Sequence, residues 1–125
     1  MYLVEKGRLL VEAGGKRVDS QELWKYALSA LPRFRELYDV YKDLRERGFV
    51  VRRGLKFGCD YLAYRYGPGI DHAPYGVHVF RVDESFDPIE LVRMGRLLHS
   101  VRKKLVIALH NGKNITYILL SWWKP

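Results

Sequence analysis

From Phe49 to Trp122, short runs rich in aromatic and β-branched residues alternate with glycine and proline breaks, and one intervening stretch, residues 87–103, has helical spacing. This order constrains the fold more than any other property of the chain. Strands separated by a few residues pair antiparallel, whereas a strand–helix–strand succession permits a parallel pair. The strands expected are residues 49–53, 56–66, 75–82, 105–110 and 115–122, with Asn111-Gly112 turning the last two into a hairpin. The helix between them starts at Asp87-Pro88, where the missing proline N–H costs nothing, and carries Leu91, Met94, Leu98 and Val101 as its apolar stripe. His78 is expected on the polar side of its strand. The implied class is α+β, a mixed β-sheet flanked by helices.

Helical signals precede the sheet. Pro32 opens a helix to about residue 47, with Phe34, Leu37, Tyr38, Tyr41 and Leu44 at helical spacing, and Gly48 ends it. Before it come a short helix closed by Gly7, a strand over residues 8–12 turning at Gly14-Gly15, and a helix over residues 22–30 capped by Asp19 or Ser20. The expected division is a small helical N-terminal part, residues 1–47, and a main domain, residues 48–125.

Charge narrows the partners. The 22 Lys and Arg exceed the 14 Asp and Glu, a net charge of +8, which favours a polyanion because bound cations displace condensed counterions. No apolar run approaches the roughly 18–20 residues of a membrane span, and the first ten residues lack a signal-peptide pattern. A soluble cytoplasmic protein is therefore expected. The single cysteine, Cys59, reads as a buried thiol. The only amides are Gln21, Asn111 and Asn114, a scarcity that points towards a thermophile.

The residues themselves offer limited chemistry. Phosphate-loop and nucleophile-elbow motifs are absent, and the acids are too scattered to suggest a metal site. What remains is His72 in a loop marked by Gly67-Pro68-Gly69, Tyr64 in an aromatic-rich strand, and a cationic helix face on which Arg96, Ser100 and Lys103 fall at i, i+4 and i+7. Each has a plainer reading: a solvated histidine, a core aromatic, and cations complementing a helix C-terminus. From composition and spacing alone the chain is a basic α+β domain suited to nucleic acid.

Three ordered segments carry a resemblance. YKDLRERGF (residues 41–49), GLKFGCDY (54–61) and HSVRKKL (99–105) resemble the archaeal tRNA-intron splicing endonucleases, with similarity over residues 20–125. The resemblance implies the catalytic domain of those enzymes, a restriction-endonuclease-like fold preceded by a truncated N-terminal subdomain. It implies Tyr64, His72 and Lys103 as catalytic residues, with Tyr66 and Lys104 as neighbouring competitors, and Arg96 as a residue that stacks on an extruded RNA base. No metal or cofactor is implied.

The implied reaction is cleavage of precursor tRNA at a bulge–helix–bulge. The ribose 2′-hydroxyl attacks the adjacent phosphate, leaving a 2′,3′-cyclic phosphate and a 5′-hydroxyl. His72 suits the general acid and Lys103 the charge clamp on the phosphorane. A free phenol keeps its proton to about pH 10, so Tyr64 acts as base only with help from cations such as Lys103 or Arg65, or else orients the hydroxyl. The resemblance also implies a tetrameric assembly of related subunits. The hairpin loop of residues 110–114 lacks the acids that self-assembling members use there, which favours a heteromer. A non-catalytic structural subunit and an RNA-binding module without cleavage remain as alternatives.

Overall fold

The computed structural model describes residues 1–66 and 74–125, which divide into two units, Met1–Arg35 and Glu36–Pro125. The first unit opens with the short helix α1, Tyr2–Glu5, closed by Gly7 at φ +69°. Strands β1, Val11–Ala13, and β2, Lys16–Val18, pair antiparallel across Gly14-Gly15. The helix α2, Ser20–Ala30, starts where the Asp19 carboxylate accepts the Glu22 amide at 2.8 Å. The expected strand at residues 8–12 is thus one arm of a hairpin shifted towards its glycine turn, and β2 was not expected.

The second unit is a sheet covered on both faces. Helix α3, Phe34–Glu46, leads into β3, Val50–Arg53. A 3₁₀ turn, Leu55–Phe57, precedes β4, Tyr61–Tyr64. Strand β5, Tyr75–Arg81, is followed by helix α4, Pro88–Ser100, then β6, Lys104–His110, and β7, Ile115–Leu120. The strand order is β3-β4-β5-β6-β7. All neighbours are antiparallel except β5 and β6, which run parallel through the α4 crossover. The α+β class with a mixed, helix-flanked sheet is the fold found.

Alternation along the strands builds two cores. Ala63, Val77, Val79 and Ala108 face α3 and pack with Val40 and Leu44. Leu62, Phe80, Leu105 and Ile107 face α4 and pack with Leu98. Both faces are therefore buried, which corrects the expectation for His78. Its ring lies on the α4 face, 4.6 Å from that of Phe80, with Nδ1 3.7 Å from the Asp60 carboxylate.

The expected strand at residues 56–66 is the main departure. Only Tyr61–Tyr64 is extended. Gly58 takes φ +76°, and the backbone around Gly54 folds so tightly that a Cβ there would meet Cys59 Sγ at 2.6 Å and its carbonyl oxygen at 2.9 Å. The Cys59 thiol sits within that turn, 3.4 Å from the carbonyl oxygens of Gly54 and Tyr61. Burial, reinforced by the neighbouring Asp60 charge, pushes this thiol up to about 11.

Candidate active site

The strand register aligns Tyr64 and Lys103. Ala63 of β4 lies opposite Tyr75 of β5, and Tyr75 opposite Lys104 of β6. One residue further out on each strand, Tyr64, Pro74 and Lys103 form the next row. Neighbouring strands are about 4.8 Å apart, so Tyr64 and Lys103 are separated by on the order of 10 Å across the row. They share a face: Tyr64 packs against the α4-side core, and so does Phe57, whose ring centroid lies 4.5 Å from Lys103 Nζ. A cation held over an aromatic face is attracted by the ring quadrupole, worth about 0.5–1 kcal/mol when exposed. Lys104 points the opposite way by strand alternation, while its amide donates to the Pro74 carbonyl oxygen at 3.3 Å.

Lys103 does not lie on the helix. Helix α4 ends at Ser100, so the i, i+4, i+7 relation with Arg96 and Ser100 fails at its last member. The chain leaves the helix through a paired C-cap: the Arg102 amide donates to the His99 carbonyl oxygen at 3.0 Å, and the Lys103 amide to that of Leu98 at 2.7 Å. This closure requires a left-handed residue, and Arg102 supplies it at φ +60°. The six other positive-φ residues among those described are all glycine. A non-glycine residue costs about 1–2 kcal/mol in this conformation.

The same cap is tied to the sheet by Leu98, which is 1% exposed. Its side chain lies against Gly76 of β5, where a Cβ would come within 2.7 Å of Cδ1. Gly76 thus lets α4 seat on the sheet, and Leu98 fixes both the helix end and the Lys103 backbone. Asp60 braces the neighbouring strand by accepting the Val79 amide at 2.7 Å.

The remaining candidates are less converged. Arg96 is exposed on α4, and its guanidinium makes no ion pair among the described residues. Tyr66 lies two residues past β4 and is 73% exposed. His72 lies outside the described residues, which resume at Pro74. Among those described, no three His, Cys, Asp or Glu side chains gather where they could hold a metal ion. Sequence reasoning missed two contributors: Phe57, assigned to a strand, and Arg102, whose left-handed backbone closes the helix. Gly58 beside Phe57 was the available sign of a turn.

The opposite face carries a second polar cluster. His110, 3% exposed, accepts the Gly112 amide on Nδ1 at 3.0 Å, so its proton resides on Nε2 and is donated to Asp39 at 2.7 Å. The Tyr117 hydroxyl donates to Asp43 at 2.6 Å. Burial, together with that hydrogen bond, raises the Tyr117 phenol well above its ordinary range. Asn111 Oδ1 accepts the amides of Lys113 and Asn114, which closes the hairpin loop.

The family model described as tRNA intron endonuclease, catalytic C-terminal domain, matches residues 34–117. That span runs from the start of α3 into β7 and includes the whole row. The chain belongs to the tRNA intron endonuclease family. Its relatives include a protein of Hyperthermus butylicus named tRNA-splicing endonuclease, 52% identical across all of this chain and 71% of the relative. Proteins of the same name from Sulfurisphaera tokodaii and Saccharolobus solfataricus are 45% and 42% identical, over 99% of this chain and 70% of each relative.

Proposed function

We propose that this chain is a catalytic subunit that cuts precursor tRNA at bulge–helix–bulge junctions by intramolecular transesterification. The observation that carries the reading is the row in which Tyr64 and Lys103 flank Pro74 on one face of the sheet. A phosphodiester laid between them meets a phenol on one side and an ammonium on the other. The ribose 2′-oxygen attacks phosphorus as Tyr64 accepts or orients its proton. Lys103 stabilises the charge that grows on the non-bridging oxygens. The phosphorus–O5′ bond breaks, and His72 gives the leaving oxygen a proton, a role suited to an imidazole near neutral pH. The products are a 2′,3′-cyclic phosphate and a 5′-hydroxyl. The nucleophile belongs to the substrate, so the reaction needs no metal-activated water and cannot proceed on DNA.

Arg96 is the candidate for stacking on a base splayed from the bulge, and the net charge of +8 favours the RNA backbone. The family resemblance also supports a four-unit assembly. Strand β7 is a sheet edge with Ile118 and Leu119 exposed, and Trp122 and Trp123 exposed beyond it. Such an edge suits pairing with another subunit. The loop without acids favours a related rather than identical partner.

The test is cleavage of a bulge–helix–bulge RNA in EDTA, by the chain alone and co-expressed with a related subunit. Cyclic-phosphate ends are expected from at least one preparation, and are lost in His72→Ala. A 3′-hydroxyl product, or activity restored only by added divalent cations, rules the reading out. Binding without cleavage by either preparation identifies an RNA-binding module.

A further inference from the structure

Arg102 is the one non-glycine residue found in the left-handed region among those described, and it immediately precedes Lys103. Nothing among the described residues requires an arginine there. The cap needs the backbone conformation, which glycine adopts freely and which a β-carbon opposes. Its hydrogen bonds come from the main chain of residues 102 and 103, so they are indifferent to the side chain. The Arg102 guanidinium is exposed and forms no hydrogen bond or ion pair among the described residues. Its charge favours the C-terminal end of α4. Lys103 and Lys104 bring two more cations to the same end, however, and neither requires a strained backbone.

A residue held in a disfavoured conformation, with a charge unpaired within the described structure, gains its return from something outside the chain. We infer that Arg102 is a substrate-binding residue, its guanidinium gripping an RNA backbone phosphate beside the one that Lys103 faces. The inference rests on the reading that RNA is held along the Tyr64–Lys103 row. The closed cap adds a physical reason for the position. Residues 102 and 103 are adjacent along a backbone pinned to Leu98 and His99, so the two side chains start from fixed neighbouring positions from which each can reach a phosphate of one strand. Arginine also suits phosphate better than lysine, because its planar fork donates two parallel hydrogen bonds.

Arg102→Gly and Arg102→Asn test this in the assembled enzyme. Both substitutes tolerate the left-handed conformation and both remove the charge. The probe is a bulge–helix–bulge RNA with 2′-deoxyribose at the cleavage positions, which binds but cannot react. Binding about tenfold weaker is expected for both variants, with the slope of log affinity against log salt smaller in magnitude by about one. Their thermal midpoints should equal or exceed the parent's. Unchanged affinity and salt slope in either variant overturns the proposal. So does weaker binding accompanied by a lower midpoint, since the residue then acts through the fold. Cleavage of unmodified RNA by the parent is scored separately. A parent that binds the deoxy probe through Arg102 but never cuts leaves this contact standing while the catalytic reading falls. A parent that does not bind the probe overturns both.

Discussion

At the scale of single residues, the two adjacent lysines give the sharpest contrast. Lys103 shares a face with Tyr64 and rests over Phe57, whereas Lys104 alternates to the other side. Removing a preorganised positive group aimed at developing charge costs about 10²–10³ in kcat. Lys103→Ala is therefore expected to lose that much in single-turnover cleavage, and Lys104→Ala to stay within about threefold of the parent. Equal losses would mean that the row misassigns the cation. Phe57→Leu keeps the packing but removes the ring quadrupole, so a kcat loss of about two- to fivefold is expected, equivalent to the 0.5–1 kcal/mol of an exposed cation–π contact.

At the scale of elements, the seating of α4 on β5 controls where Lys103 sits. Gly76→Ala drives a methyl into Leu98. Overpacking of this kind costs about 1–3 kcal/mol, and a displaced Leu98 also moves the carbonyl that anchors the Lys103 amide. A lower thermal midpoint together with reduced kcat in cleavage is expected. A loss of stability with kcat intact would show that helix seating and lysine placement are independent. The 54–60 turn gives a pH signature. The Cys59 thiol, ordinarily near 9.0, is raised to about 11 in the folded chain. A raised value means the folded state holds the proton more tightly, so this stabilisation is full below pH 9 and is lost as pH climbs towards 11. Chemical denaturation across that window should show the parent weakening by on the order of 1–2 kcal/mol more than Cys59→Ala.

These elements also mark what could be read from the sequence. The strands from Tyr75 onward, the crossover helix and the closing hairpin were legible because hydrophobic period and turn residues agree there, as Asn111-Gly112 illustrates. The stretch around Gly54 and Gly58 was not, since its apolar residues imitate a strand and the fold is set by a close backbone approach invisible in composition. The end of α4 was hidden for a related reason: the residue that closes it is arginine, and the usual glycine signal is missing. Tyr64 and Lys103 were named through resemblance, but their shared face follows only from register across β5. The partners of His110 and Tyr117 on α3 lie 71 and 74 residues away, beyond any local pattern.

At the scale of the whole molecule, β7 is the sheet edge proposed above to pair with another subunit. Leu119 is exposed on an edge strand, and a charge there opposes edge pairing without entering either core. Leu119→Lys is expected to shift the complex towards smaller species in sedimentation, with the thermal midpoint of the separated chain unchanged. An unaltered size distribution would place the interface elsewhere. The parallel pair of β5 and β6 has a consequence for the life of the enzyme. Tyr75 and Lys104 meet only after the intervening helix has folded back, and closing such a non-local contact is slow. Tyr64 and Lys103 acquire their common row at that moment and lose it when the pair parts. On the catalytic role proposed for this row, a chain caught part-way through synthesis or thermal opening holds no assembled pair of Tyr64 and Lys103 and does not cut RNA until β5 and β6 have paired.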